Sequence, residues 1–267
     1  MRAAGDTGVI PAGIYVLLAA ASERARMESL DDVVARERRS QDLAVRAAGE
    51  PERTYTYHRF CTTAWKTGNF LRHLGVGDDV AVGVAADPVP QSLLAFFGTA
   101  LLGGRTRFDP PRAWDGRAAV ARSDAVAEYD LPAGGQRVGY GDDPADPATR
   151  YFEEEVWSEN PSFPPVDRDP STAALEDAER RYSHRELVDA ASTAVEEFDL
   201  DADDAVAVRA SLADPRTVVA GALAPLIAGG SVLFPGADAE GDVAVTPGGN
   251  GGDAPEPRTI ALDAVSL

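Results

Sequence analysis

The sequence predicts an α/β protein made of two related β-α-β-α-β units, with mainly parallel sheets flanked by helices. The first observation behind this is a self-similarity: Tyr55 to Pro110 is echoed by Tyr182 to Pro235. A shift of 126 positions aligns His58-Arg59 with His184-Arg185, Asp78-Val80-Ala81-Val82 with Asp204-Val206-Ala207-Val208, and Gly103-Gly104 with Gly229-Gly230; 12 of the 51 positions from 58 to 108 are identical without a gap. A one-residue slip upstream also pairs Tyr55 with Tyr182. The second observation is apolar spacing at helical period after each of two short β-prone entries. The third is a near-continuous apolar run, Val80 to Ala86, of the kind that parallel sheets bury on both faces.

Taken in order, Tyr55-Thr-Tyr57 and Arg181-Tyr-Ser183 are the entry strands. The helices that follow carry Phe60, Cys61, Ala64, Phe70, Leu71 and Leu74 in one copy, and Leu187, Ala190, Ala191, Ala194, Val195 and Phe198 in the other. Gly75-Val-Gly77-Asp78 ends the first helix through permissive glycines; Asp201 to Asp204 makes the second turn with acidic turn-formers. After the apolar strands, Asp87-Pro88 and Asp214-Pro215 open second helices, Gln91 to Leu102 and Thr217 to Ala228, because proline is tolerated in a first turn. Gly-Gly stops each helix before a last strand, Arg105 to Phe108 or Ser231 to Phe234. The two copies are expected to pack through these apolar second helices about an approximate two-fold axis.

Four spans follow: a non-core extension, 1–26; a first unit, 27–111; a connector, 112–170; and a second unit, 171–267. In the connector, Ala118 to Ala127 reads as a short helix, Gln136 to Tyr140 as a strand, Thr149 to Trp157 as an acidic helix, and Pro161 to Pro170 as an extended linker. The apolar run Val9 to Ala21 is too short to span a bilayer. Pro11, Gly13 and Asp6 argue against a signal peptide, leaving open whether translation starts at Met1 or Met27.

The formal charge is −19, from 44 acidic and 25 basic residues, and Lys66 is the single lysine. Such a field repels nucleic acid and anionic membranes. Screening at molar salt makes it suited to a salt-rich cytoplasm, where the protein is placed. One cysteine gives no disulfide framework.

The run Tyr-Thr-Tyr-His-Arg-Phe (55–60), then Leu-Gly-Val-Gly-Asp-Asp-Val-Ala-Val (74–82), then an alanine-rich helix ending Leu-Leu-Gly-Gly before Phe108-Asp-Pro, resembles the N-terminal lobe of AMP-forming acyl-CoA synthetases and adenylation domains. The resemblance covers about half of the chain. It implies an activity that adenylates a carboxylic acid with ATP and magnesium and passes the acyl group to a thiol. Its phosphate loop, of form T-S-G-[ST]-T-G-x-P-K-G, is expected ahead of Ser183-His184-Arg185, yet Asp169 to Tyr182 holds neither glycine nor lysine. A phosphate cradle needs glycines so that backbone N–H groups converge, and a cation to meet the charge. The chain also ends at Leu267, ahead of the family's later adenine- and magnesium-binding motifs. One faint loop-like stretch remains, with Thr246, Gly248, Gly249 and Gly251 as phosphate-binding candidates; Asp253 intrudes and Glu256 or Arg258 stands at the lysine position. The bland reading is a flexible hairpin between Val243-Ala-Val245 and Thr259-Ile-Ala261.

His58-x-x-Cys61 has two of the four ligands that a structural zinc needs, so packing is the expectation. Ser183 and His184 are adjacent, and adjacent helical residues point apart. Glu153-Glu-Glu155 reads as a solvated face. The expectation is therefore a synthetase-like protein that is not catalytic, with no cofactor or metal, acting on a protein partner or a small acyl or nucleotide ligand. The alternative is an active or trans-complemented AMP-forming ligase using ATP and magnesium.

Overall fold

The computed structural model describes residues 27–49, 52–164, 168–236, 239–248 and 254–267. The expectations for residues 1–26, Gly249 and Gly251 lie outside these. The chain starts with a one-turn helix α1 (Leu30–Val33) and an antiparallel hairpin, β1 (Leu43–Ala47) and β2 (Arg53–Thr56). Thr56 ends β2 and caps α2 (Tyr57–His73), its side chain accepting from Arg59 N, so strand passes into helix without a loop. Then come β3 (Ala81–Val84), α3 (Pro90–Ala100) with proline in its first turn, and β4 (Arg105–Phe108), entered through Gly103 at φ +75°. β5 (Ala118–Arg122), β6 (Gln136–Tyr140), β7 (Arg150–Tyr151) and α4 (Phe152–Ser158) complete the first half.

The second half uses the same order of elements. A hairpin, β8 (Ala173–Glu176) and β9 (Arg181–Ser183), runs into α5 (His184–Glu197), which Ser183 and Glu186 start with a capping box. β10 (Ala205–Val208) leads to α6 (Pro215–Thr217), which widens into a π-helical stretch, Val218–Leu223, and closes as α7 (Ala224–Ala228). Gly229 at φ +92° turns the chain into β11 (Ser231–Phe234), followed by β12 (Val243–Thr246) and β13 (Arg258–Ala261).

Two sheets result, in the orders β13-β12-β10-β11-β1-β2 and β7-β6-β5-β3-β4-β8-β9. All pairings are parallel except within the β1–β2 and β8–β9 hairpins; β12 and β13 run parallel, so the hairpin expected between Val243-Ala-Val245 and Thr259-Ile-Ala261 is instead a crossover within the sheet. Each hairpin stands on the sheet of the other half: β1 pairs with β11, and β8 pairs with β4. The entry strands are thus exchanged, where the sequence suggested that each copy would close its own local sheet.

This exchange, not the expected docking of the apolar second helices, ties the halves together. α3 packs chiefly on α2, lies against β3, β4 and β5, and reaches β1 of the other sheet. The π-helical stretch and α7 pack on α5 and on β10, β11 and β12. One large apolar core joins the helices to both sheets, and a smaller cluster of Ala81, Trp114, Ala119, Ala121, Val126 and Tyr129 lies apart from it. Phe60, Phe96 and Phe97 interlock there edge to face, with ring centroids 5.3–5.6 Å apart.

Residues 112–170, read as a connector, add β5, β6 and β7 to a sheet. Ala118–Arg122 is a strand where a helix was expected, with a 3₁₀ turn at Val126–Glu128. Ala118, Ala119, Val120 and Ala121 are all buried between β3 and β6; burial on both faces overrides the helical preference of alanine. The proline-rich span beyond α4 is held on α2. Asn69 Nδ2 donates to Asn160 O and Ser162 O, both at 3.0 Å, and Arg72 stacks on Phe163.

Strand register also corrects the gapless alignment. Val82 pairs with Thr106 and Val206 with Val232, so the sheets equate β3 with β10 at a shift of 124 and β4 with β11 at 126. The N-caps Thr56 and Ser183 differ by 127. His184 therefore corresponds to Tyr57, not to His58.

Candidate functional site

Where the resemblance places a phosphate loop, the chain forms the tight hairpin between β8 and β9. The Asp177 carboxylate fills its turn. Oδ1 accepts from Glu179 N at 2.7 Å and Arg180 N at 2.8 Å, and Oδ2 accepts from the Tyr182 hydroxyl at 2.7 Å. Consecutive backbone N–H groups of this kind are what an anion-binding nest offers to a phosphate; here the protein's own carboxylate takes them. Burial works to raise the Asp177 pKa, but hydrogen bonds from Arg180 N, the Tyr182 hydroxyl and Glu179 N outweigh it and hold the carboxyl below its usual range.

The turn forms one wall of a cleft of ≈ 700 Å³, and the Ser211–Arg216 segment leading from β10 into α6 forms the other. This is the carboxyl end of a parallel strand, where α/β sheets place ligands. Its two cations are already engaged. Arg216 grips Asp214 with Nη2–Oδ2 at 2.6 Å and Nε–Oδ1 at 3.0 Å. Arg180 stacks 4.1 Å from the Tyr182 ring centroid and pairs with Glu186 at 3.3 Å. Asp177, Glu179 and Asp214 give the cleft a negative lining.

Thr246 and Gly248 lie together at the carboxyl end of β12. Thr246 is buried, and Gly248 adopts φ +73° with its N–H on Thr246 O at 2.9 Å. A Cβ at Gly248 would stand 3.2 Å from Asp263 Oδ1, so a carboxylate, not a cation, adjoins this turn. Asp263 also acts on Arg216 across the neighbouring cleft. Glu256 binds Arg209 through both oxygens, at 2.8 and 2.6 Å. Arg258 turns to Asp204 at 2.8 Å and to Phe198 O at the end of α5. Neither residue points a free cation at the candidate loop.

Among the described residues no group of three or more His, Cys, Asp and Glu side chains could hold a metal ion. Cys61 is buried, and burial pushes its thiol up to about 11, so it is an unreactive packing residue. Ser183 serves the cap of α5, while His184 is buried with Nδ1 accepting from Leu30 N at 3.2 Å. The two form no dyad. Burial, assisted by Arg168, lowers the His184 pKa to about 4 and keeps the ring neutral. Glu153 departs from the solvated reading: it accepts from Gln91 Nε2 at 2.8 Å and from Gly141 N at 3.1 Å. Sequence reasoning missed Asp177 as the decisive residue. The signal was present as an aspartate two and three residues ahead of polar turn residues between two β-prone runs, the pattern of an Asx turn.

No family model and no curated protein matches the chain in sequence. Solved structures do share its fold. The anthranilate CoA ligase AuaEII in complex with anthranoyl-AMP superposes with TM-score 0.70 at 15% identity, covering 82% of this chain and 49% of that one. Apo MatB from Rhodopseudomonas palustris gives 0.64 at 15% identity over 82% and 49%. An acyl-CoA synthetase from Brucella canis gives 0.65 at 14% identity over 81% and 45%. The fold is that of an acyl-CoA synthetase N-terminal lobe, and the chain spans about half the length of these enzymes. No helix among the described residues is long and apolar enough to cross a membrane.

Proposed function

We propose that this chain is an acyl-CoA synthetase-like protein that does not adenylate and acts as a binding or accessory protein for a protein partner or a small acyl or nucleotide ligand. The observation that carries this is Asp177. Its carboxylate saturates the backbone N–H groups of the turn where a triphosphate would have to be held. A phosphate entering there would displace a hydrogen-bonded carboxylate and then meet Glu179 and Asp214. The shared order of elements, the paired caps and the exchanged hairpins support descent of the two halves from one unit. The charge of −19 supports a salt-rich cytoplasm as the working environment.

Thermal unfolding with and without millimolar ATP and magnesium tests the proposal. A ligand at 100 times its Kd adds about 2.7 kcal/mol, an effect that a melting curve resolves. No shift is expected; a clear upward shift shows that the cleft beside Asp177 holds a triphosphate, and hydroxamate formation from a carboxylic acid by this chain alone overturns the non-catalytic reading. A second reading is favoured by the coverage: a chain matching 49% of a ligase can complete one in trans. Hydroxamate formation from carboxylic acids, appearing only when a separately encoded ligase C-terminal half is added, would establish it.

A further inference from the structure

The exchange of hairpins creates a second cleft that mirrors the first. In the first, the β8–β9 hairpin meets the turn from β10 into α6. In the second, the β1–β2 hairpin, through Arg53, Thr54 and Tyr55, meets the start of α3 at Gln91, with α2 and α4 as side walls. This cleft measures ≈ 560 Å³, within the range of small-molecule sites. Its contact with the first turn of α3, through Gln91, corresponds to that of the first cleft with the first turn of α6.

The chemistry of the two clefts differs. The first is closed by its own ion pairs. In the second, Gln91 is 3% exposed and its Oε1 has no hydrogen-bond partner, although its Nε2 is fixed by Glu153. Glu153 Oε2 and Thr62 Oγ1 are likewise buried without partners. Unpaired buried acceptors cost free energy and are uncommon in native folds; Glu153 has the Arg53 guanidinium 3.6 Å from its Oε1, so it is Gln91 Oε1 at the floor that calls for a donor. Tyr55, Phe152, Val156 and Trp157 give apolar walls, and Trp157 is 81% exposed. At the rim, Lys66 Nζ donates to Trp157 O at 2.6 Å and lies 5.4 Å from the Trp157 ring centroid, which leaves two of its three N–H groups to face the cleft.

We infer that this second cleft is a binding site for a small planar aromatic molecule bearing an amino group and an anionic group. The amine donates to Gln91 Oε1, the ring packs on Trp157, and the anion faces Lys66 and the Arg59 guanidinium that covers the Tyr55 ring. The site stands independently of whether the first cleft binds nucleotide, because the two share no lining residue.

The probe is 4-aminobenzoate, which combines the three features, followed by saturation-transfer NMR and calorimetric titration of the full chain in about 1 M potassium chloride. Binding is expected, with benzoate at least about tenfold weaker for loss of a hydrogen bond to a buried acceptor. Trp157→Ala, a substitution at an exposed ring, and Gln91→Leu should each weaken the probe by about tenfold or more. Trp157→Ala keeps the test decisive if Gln91→Leu fails to fold. No saturation transfer to the probe, equal binding of benzoate, or binding unchanged by Trp157→Ala overturns the site. ATP in the same titration reports on the first cleft separately.

Discussion

The two halves follow one plan and differ in how they meet their surroundings. Both begin with a hairpin lent to the opposite sheet, and in both the first residue of the following helix reaches across the junction. In the first half that residue is Tyr57, whose hydroxyl donates to Gly230 O at 2.8 Å and lies 3.1 Å from Leu226 O. In the second it is His184, which accepts from Leu30 N. The position is set by the plan, while the chemistry placed on it was free to diverge. The same holds for the helices after the central strands. α3 carries two buried phenylalanines, whereas its counterpart is built of Val, Ala, Gly and Leu and bulges into a π-helix.

The largest expected difference lies in those cores. Phe97→Ala removes a fully buried ring packed edge to face on Phe60 and Phe96, and should cost about 3–5 kcal/mol by denaturant unfolding. Val219→Ala at the equally buried π-helical stretch removes two methyl groups and should cost about 1–2 kcal/mol. Equal losses would show that the two helices contribute alike and break the contrast.

Titration at the junction comes next. His184 takes up its proton near pH 4 in the fold and near 6.5 in the unfolded chain. Its contribution is therefore complete above pH 6.5 and lost as pH falls toward 4. Asp31 acts in the opposite sense. Burial outweighs its ion pair with Arg168 and raises its pKa from 3.8 to about 6, so its contribution is complete below pH 3.8 and lost as pH rises through 6. Each shift of about two units corresponds to roughly 3 kcal/mol. The two slopes should largely cancel in the native protein. His184→Asn should leave stability falling as pH rises from 4 to 6, and Asp31→Asn should leave it falling as pH drops from 6.5 to 4. Parallel slopes in the two variants would refute the opposition.

Much of the fold was legible because its signals are local. Asp214-Pro215 opening the helix after β10 and the glycines closing both second helices are each determined within a few residues, although after β3 the helix opens at Pro90 and not at Asp87-Pro88. What the sequence hid depends on partners distant in the chain. Ala118–Arg122 looks helical by itself and becomes a strand because β3 and β6 flank it. The exchanged hairpins could not be read from Tyr55 or Tyr182, since an entry strand carries no mark of the sheet it joins. At the candidate site, the absence of glycine and lysine between 169 and 182 was visible; that Asp177 would itself fill the turn required the hairpin.

A smaller effect is expected from the Tyr57 hydroxyl. Tyr57→Phe leaves the ring in place but deprives the carbonyls of Gly230 and Leu226 of their donor at a buried site. A loss of about 1–2 kcal/mol is expected by denaturant unfolding, and no loss would mean that the junction rests on apolar packing alone.

The smallest expected effect concerns the π-helical stretch. From the opening proline to the left-handed glycine, the first half runs Pro90 to Gly103 and the second Pro215 to Gly229, one residue longer. A π-helical turn accommodates one added residue, and Ala224 N accordingly bonds Val219 O five residues back. Pro225 fits this widened turn because it has no N–H to give to Gly221 O. Deleting Ala220 together with Pro225→Ala should convert the stretch to a regular α-helix like α3. The lost methyl contacts would be offset by a recovered helical hydrogen bond, so stability should change by no more than about 1 kcal/mol. Circular dichroism and denaturant unfolding measure this directly. Loss of cooperative unfolding in that variant would show that the wider turn is required for packing on α5, and that the two halves differ here by design of the core and not by a single added residue.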